Sequence, residues 1–389
     1  MAQRKGAPSV KKTLHDIEVD RGHHLTGSFQ PPTPPSTPSE DPFYASRGLW
    51  NDIKTLRWIR VPSSSFKLLI IPIVLFGFCK IFFPNGPNPF EPMLFISHQI
   101  PDSPKDAPRY AKGPMDLVFL AYHIIVFSFI RQFTLFYILH PIALRLGIKK
   151  GSKLERFGEQ AYAVLYYGTM GVWGILIMKE LPTWWYQTQY YWIGYPHWDM
   201  KADLKRYYLM HWSYWLQQLI IISLKLEKPR SDFKELVAHH IVTVWLIGWS
   251  YLVNLTLIGN AVFVSMDIPD VFFALSKLCN YLNLEKTKVF TFINFFFIWS
   301  YFRHWLNLRI LYSVWTEFEL LPASARVFSP ADGVWMAGWV KYQIFTPILL
   351  LQFLNLFWYF LICRILYRAV FGGEVTDVRS DDEDGGKDD

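Results

Sequence analysis

Polar side chains that suit acid–base chemistry recur in three apolar stretches of this sequence. The first stretch begins with the paired histidines His239 and His240, in LVAHHIVTVWL. The second contains Asp267 and Asp270 in SMDIPDVFFALSK, and the third contains Arg303 in WSYFRHWLNLR. An ionisable residue at the centre of a membrane helix costs roughly 2.5–3.5 kcal/mol on insertion scales, so each is a candidate for function. The residue types favour histidine as base or nucleophile, with a carboxylate that orients it or balances its charge.

The spacing of these residues predicts which of them share a face of a helix. Asp267 and Asp270 are three residues apart and Arg303 and Asn307 are four apart, so each pair is expected on one face. Adjacent histidines diverge by about 100° on a helix, so we expect one to face the reaction and the other to pack beside it. Pro269 lies between the two aspartates and is expected to kink or locally unwind its helix.

Further polar residues in the apolar stretches have a plainer interpretation. Arg131, His211, Gln217 and Gln218 either support the site, as we expect for His211 and Gln218, or form contacts between membrane helices. The aspartates also have a structural alternative, since they could simply neutralise Arg303 in a buried ion pair.

Other site chemistries are less well supported by the sequence. Adjacent histidines lack the four-residue spacing that places two metal ligands on one helix face. No G-x-S-x-G motif or glycine-rich phosphate loop occurs, and the three cysteines Cys79, Cys279 and Cys363 all fall inside apolar runs. We therefore expect neither a metal ion nor a cofactor.

The composition indicates a membrane protein made of helices. Aromatic residues form 18% of the 389 residues and charged residues only 18%, whereas soluble domains carry about 25% charged residues. A small secreted scaffold and a disordered regulator are excluded. A membrane-spanning helix needs about 20 mostly apolar residues, so we predict an all-α polytopic bundle with eight spans. These spans are residues 66–83, 115–139, 161–178, 207–226, 239–253, 257–278, 289–310 and 342–367.

The distribution of bases predicts the topology. Lysine and arginine cluster before the first span and in alternate loops, as is typical of cytoplasmic segments, so both termini are expected in the cytosol. Residues 1–45 are rich in proline and serine and are expected to form a disordered arm without a cleaved signal peptide. Residues 46–152 form a region with two spans, and residues 368–389 form an acidic, disordered tail in which Ser380 is a candidate phosphorylation site.

The stretch 226–318 closely resembles the signature region of the fungal longevity-assurance ceramide synthases. It includes LEKPRSDFKELVAHHIVTVWLIGWSYLVN, MDIPDVFFALSKLCNYLN and WSYFRHWLNLRILYSVWTEF. KGPMDLVFLAYHIIVFSFIRQF and LNLFWYFLICRILYRAVF also look like members of this family, and the similarity extends from about Trp50 to the acidic tail.

The resemblance implies an enzyme of the endoplasmic reticulum membrane that joins the acyl group of a fatty acyl-CoA to the amine of a sphingoid base. It implies a helical TLC domain around a lipid-lined cavity, assigned here to residues 153–367, with catalytic positions at His239, His240, Asp267 and Asp270. It also implies a small single-span accessory subunit and dimerisation, with itself or a paralogue, but no nucleic acid. The alternative function is a non-enzymatic TLC protein that binds or transports lipid.

The proposed chemistry leaves several roles open. A protonated long-chain amine must lose a proton before it attacks, which histidine is suited to accept; alternatively, a histidine attacks the thioester first. Arg303, Asn307 or a backbone donor near Pro269 could stabilise the oxyanion. Three loop bases could attract CoA phosphates, although cytoplasmic topology alone explains them; they are Lys228, Arg230 and Lys234.

Overall fold

The computed structural model describes residues 46–149, 151–224 and 232–371. The predicted arm (residues 1–45), most of the acidic tail with Ser380, and the loop bases Lys228 and Arg230 lie outside these residues. Within them, the chain is helical apart from one antiparallel pair of two-residue strands, β1 (Arg109–Tyr110) and β2 (Met200–Lys201).

Twelve α-helices are assigned in the described ranges. They are α1 (Leu49–Lys54), α2 (Pro62–Phe82), α3 (Glu91–Leu94), α4 (Met115–Phe133), α5 (His140–Arg145), α6 (Gly151–Lys179), α7 (Ala202–Ser223), α8 (Phe233–Leu252), α9 (Thr256–Tyr281), α10 (Glu285–Trp299), α11 (Asn307–Thr316) and α12 (Val340–Phe371). Two π-helical segments, Thr134–Leu139 and Ser300–Leu306, join α4 to α5 and α10 to α11. Short 3₁₀ turns occupy Arg57–Ile59, Thr188–Tyr191, Phe318–Leu320, Ala323–Ala325 and Pro330–Asp332.

Five helical stretches in the described part of the chain are long and apolar enough to cross a membrane. They are Pro62–Phe82, Met115–Arg145, Gly151–Lys179, Thr256–Tyr281 and Val340–Arg368. The chain is therefore a membrane protein with several candidate spans. Three of the predicted spans, which correspond to α7, α8 and the continuous α10–α11, do not meet this standard because polar side chains interrupt them.

Several helix boundaries differ from the sequence prediction. The largest difference is at α6, which begins at Gly151 instead of residue 161, and two others bear on the site. The fifth predicted span began at His239, but α8 begins at Phe233, so the two histidines lie in its second turn. The fourth was predicted to begin at Tyr207, but α7 begins at Ala202. Hydropathy missed this first turn because it contains Lys205, a charged residue that the fold buries.

A buried ion pair connects this first turn of α7 to α4 and α8. The Lys205 ammonium lies 2.7 Å from Asp116 Oδ1, and the two side chains are 0% and 4% exposed. Lys205 Nζ also donates to two backbone carbonyls, at 2.9 and 2.6 Å. Tyr251 on α8 donates its hydroxyl to Asp116 Oδ2 at 2.8 Å. This cluster holds the far end of α8, whose other end carries the histidines.

The helix α9 remains continuous through Pro269, so the predicted local unwinding is absent there. A proline removes one backbone donor, and here close packing of α9 against α6 supports the helix. Gly171 and Gly174 on α6 allow this approach, because a Cβ atom at either position would lie 2.8 Å from a side-chain atom of Ile268 or Val264. Small residues have this role in membrane helix packing generally.

Candidate active site

His239 lies among large side chains in the second turn of α8. Its ring centroid is 5.4 Å from those of Trp215 on α7 and Trp358 on α12, and both indoles stand nearly perpendicular to the imidazole. The residue is 9% exposed. Its Nδ1 is buried and has no hydrogen-bond partner among the described residues. A buried nitrogen without a hydrogen-bond partner is costly, which distinguishes His239 from a histidine with a purely structural role.

His240 is held differently from its neighbour. Its Nδ1 lies 2.8 Å from the carbonyl oxygen of Leu236, so Nδ1 carries the proton and donates it to the helix backbone. The two imidazole rings are perpendicular, with centroids 5.6 Å apart. The divergence expected for adjacent residues therefore gives them different surroundings, and His239 is the histidine with an available Nδ1.

The two aspartates have different partners. Asp267 Oδ2 lies 2.9 Å from Nε2 of His211 on α7. The Tyr166 hydroxyl, on α6, lies 3.1 Å from Nδ1 of the same ring. A carboxylate accepts the Nε2–H, which leaves Nδ1 to accept from the phenol. Asp267 therefore supports His211, and the structure does not bring it into hydrogen-bond contact with His239.

Asp270 is the partner of Arg303. One guanidinium nitrogen donates to Asp270 Oδ1 at 2.7 Å and to the Met266 carbonyl at 2.9 Å. The other terminal nitrogen donates to Asn355 Oδ1 at 3.1 Å, and the guanidinium lies over the Trp299 ring at 4.3 Å. The Nε–H of Arg303 is buried without a partner among the described residues. The ion pair anticipated from the sequence thus forms between Arg303 and one aspartate, Asp270. The Nε–H donor of Arg303 has no acceptor among the described residues.

Two cavities meet at His239. The first, about 760 Å³ including the part open to the outside, extends among apolar side chains of α8, α9 and α12 as far as Ser250 and Leu255. The second, about 1540 Å³ on the same basis, has more polar walls and extends to the start of α8 at Asp232. The residues that line both cavities are Trp215, His239, Asp270 and Arg303. An apolar compartment and a polar compartment therefore share a wall that carries one imidazole and one guanidinium.

The remaining predicted residues are distributed unevenly around these cavities. Gln218 lines the polar cavity and donates to Gln217 Oε1 at 3.0 Å. Asn307 instead donates to Gln352 Oε1 at 2.7 Å on α12, and it lines neither cavity. Lys234 is exposed in the first turn of α8 and also lines neither cavity. No cluster of metal-binding side chains occurs in the described ranges.

Comparison with known proteins identifies the family. The TLC domain family matches residues 156–364. The sphingosine N-acyltransferase lac1 of Schizosaccharomyces pombe is 39% identical over 328 residues, which cover 82% of this chain and 83% of the relative. The ceramide synthase LAG1 of Saccharomyces cerevisiae is 39% identical over 297 residues, with 76% and 70% covered. The sphingosine N-acyltransferase lag1 of S. pombe is 31% identical, with 82% and 79% covered. The chain belongs to the ceramide synthase family.

Several residues that line or support the site of this ceramide synthase family member carry no clear signal in the sequence. Trp215, Trp358 and Tyr166 gave no signal, because aromatic residues are abundant throughout the chain and any of them could face lipid. The sequence predicts that Asp232 lies in the loop before the fifth span. Its position seven residues before His239, two helical turns away, was a usable signal once the helix was known to begin at Phe233.

The hydrogen bond from Tyr166 to His211 is expected to contribute to stability. We expect Tyr166→Phe to destabilise the folded protein by about 1 kcal/mol, since a buried hydrogen bond typically contributes that much. Tyr207 is the matched control, because it also packs edge-on against the His211 ring but its hydroxyl has no partner among the described residues. Thermal denaturation in detergent should show a lower midpoint for Tyr166→Phe and an unchanged or higher one for Tyr207→Phe. The reverse order would contradict the assigned network.

Proposed function

We propose that this protein is a ceramide synthase, which transfers a fatty acyl group from acyl-CoA to the amine of a sphingoid base and releases CoA. The observation that carries the proposal is the unpartnered Nδ1 of His239 at the junction of an apolar and a polar cavity. The acyl chain would lie in the apolar cavity, which places its thioester beside His239. The polar cavity would receive CoA and the amine head of the base.

Two chemical routes use His239. In the direct route, Nδ1 accepts a proton as the amine nitrogen attacks the thioester carbon, and the departing thiolate takes up a proton. In the covalent route, the imidazole attacks the thioester, CoA leaves, and the amine then displaces the imidazole from the acyl group. Both routes pass through an oxyanion, and the unpartnered Nε–H of Arg303 is the donor that we assign to it.

The covalent route predicts an acyl adduct on the protein. Purified protein incubated with acyl-CoA alone would gain the mass of one acyl group in intact-mass spectra, and His239→Ala would remove that gain. His240→Ala should retain it, because His240 lines the polar cavity but not the apolar cavity in which the acyl chain is placed. A single-turnover experiment that forms ceramide without any adduct would establish the direct route instead.

The activity itself can be tested in microsomes. The chain would be expressed in a host that lacks its own ceramide synthases but retains their accessory subunit, and microsomes would receive labelled sphingoid base and acyl-CoA. We expect labelled ceramide from the natural sequence. If labelled base and acyl-CoA bind to the protein but no labelled ceramide forms, the result would favour the alternative function of lipid binding or lipid transport.

The cellular setting completes the proposal. We place the protein in the endoplasmic reticulum membrane with eight spans and with both termini in the cytosol, where acyl-CoA is supplied. Residues 153–367 form the TLC catalytic domain, and a small single-span accessory subunit and a second synthase copy or paralogue are its expected partners. The acidic tail carries the candidate phosphorylation site Ser380. The exposed Lys234 remains a candidate contact for CoA phosphates together with Lys228 and Arg230.

A further inference from the structure

The apolar cavity that begins at His239 ends against buried side chains at the opposite end of α8. Leu255, which follows α8, and Ile258 on α9 line this end and are 2% and 3% exposed. Tyr208 on α7 lines it as well and is fully buried, and Ser250 on α8 lies beside it. We call Tyr208, Ser250, Leu255 and Ile258 the end wall, because they close the cavity at the end remote from His239.

A hydrogen bond between α7 and α8 fixes the position of the Tyr208 side chain in the end wall. The Ser250 hydroxyl donates its proton to the Leu246 carbonyl at 2.6 Å, so it accepts from the Tyr208 hydroxyl. Gly259 on α9 packs directly against the same phenol, since a Cβ atom at Gly259 would lie 2.6 Å from Tyr208 Cζ. Tyr208 is therefore held both by a hydrogen bond and by close packing, and the end wall has a defined position.

The helix α8 gives the depth of the apolar cavity. His239 and Ser250 both line the cavity and are eleven residues apart on α8, which corresponds to about 16 Å along the helix axis. A C–C bond of about 1.5 Å at a nearly tetrahedral angle advances an extended chain by about 1.25 Å. With its carbonyl carbon at His239, an extended acyl chain therefore reaches the end wall with about 13 further carbons.

The walls between His239 and the end wall are apolar and come from three helices. They include Leu246 and Ile247 on α8, Val262 and Phe263 on α9, and Ile344 and Ile348 on α12. Methylene groups placed among these side chains are favourable because their apolar surface is removed from water. Carbons beyond the end wall have no such space, since protein interiors are closely packed. A longer chain must then fold back or displace a side chain.

We propose that the end wall sets the length of the acyl chain, so that the site accepts acyl groups of about 14–16 carbons and rejects groups of about 24 carbons. This inference rests on the proposed function, because it concerns the acyl chain whose thioester lies at His239. An extended chain of about 24 carbons exceeds the depth of the cavity by about 12 Å. The residues of the end wall act on specificity, and they touch the acyl chain far from the reacting atoms.

Competition between two acyl-CoAs tests the inference on the natural sequence. Microsomes that contain this chain would receive labelled sphingoid base and equal concentrations of hexadecanoyl-CoA and tetracosanoyl-CoA. The ratio of the two labelled ceramides then gives the ratio of the two kcat/KM values. We expect at least about 10-fold more hexadecanoyl ceramide, since a single methylene group in a fitted pocket changes kcat/KM by about 10-fold to 200-fold. Equal amounts of the two ceramides, or an excess of tetracosanoyl ceramide, would overturn the inference.

Variants of the cavity test whether the end wall is the element that sets the length. Leu255→Ala lengthens the cavity, so the ratio of eicosanoyl to hexadecanoyl ceramide should rise at least about 10-fold. Leu257→Ala is the matched control, because Leu257 is also buried, at 6% exposed, but lines neither cavity. The same ratio should stay within about twofold in this control.

Val262→Phe is the opposite change, since Val262 lines the cavity four residues after Ile258, one helical turn nearer to the site. It should shift the preference from hexadecanoyl-CoA towards dodecanoyl-CoA. Unchanged product ratios in folded Leu255→Ala and Val262→Phe proteins would overturn the assignment of length selection to this cavity. Absence of ceramide from the natural sequence with every acyl-CoA would instead refute the proposed function.

Discussion

Replacing His239 with alanine is expected to lower the rate of ceramide formation by about 100-fold or more, which is the contribution typical of a positioned acid–base group. The reason is that His239 is the histidine with a buried, unpartnered Nδ1, and it is the imidazole that lines both cavities. The rate should be measured with labelled base and saturating acyl-CoA, and normalised to the amount of folded protein in the membrane.

His240→Ala provides the comparison for this result. His240 packs against Trp215 and lines the polar cavity, but unlike His239 it does not line the apolar cavity. We therefore expect His240→Ala to lower the rate of ceramide formation less than His239→Ala does. The loss would come from movement of the cavity wall beside His239. If His240→Ala abolishes activity while His239→Ala retains it in equally folded protein, the assignment of the reacting histidine is wrong.

Lys205→Met is expected to destabilise the folded protein by about 3–5 kcal/mol, since it removes one partner of a buried ion pair and leaves the Asp116 carboxylate uncompensated. This is a large part of the stability of a typical domain. The effect should appear as a lower midpoint of thermal denaturation in detergent and as less protein in the membrane fraction.

Two further variants separate loss of the pair from loss of the lysine side chain. Arg206→Met removes an adjacent base whose ion pair with Asp203 is exposed, so it should change stability little. Adding Asp116→Asn to Lys205→Met removes the uncompensated carboxylate charge and should recover part of the lost stability. The asparagine side chain can still accept the hydrogen bond from the Tyr251 hydroxyl. A double variant that is less stable than Lys205→Met would contradict the account.

The sequence was sufficient to locate the polar residues of the site but not to pair them. Ionisable residues within apolar stretches identified His239, Asp267 and Arg303 as site candidates. Membrane insertion penalises such residues regardless of which helices pack against each other, so this signal is present in the sequence. The pairing of Asp267 with His211 depends on how α7 packs against α9, which spacing along one helix does not specify. Aspartates three residues apart therefore have partners on different helices.

Irregular helix geometry also limited the prediction from spacing. Arg303 and Asn307 were expected on one face from their four-residue separation, but Ser300–Leu306 is π-helical. Both side chains still contact α12, through Asn355 and Gln352, yet only Arg303 lines the cavities. A π-helical turn changes the angle between successive residues, and the sequence carries no simple signal for it.

The most direct test of the central claim measures both products in one reaction. Microsomes that contain this chain and the host's accessory subunit would receive acyl-CoA and labelled sphingoid base, and ceramide and base-dependent CoA release would be counted together. We expect equal amounts of the two products from the natural sequence, and neither product above background from His239→Ala. Ceramide formation that persists in folded His239→Ala protein would contradict the account.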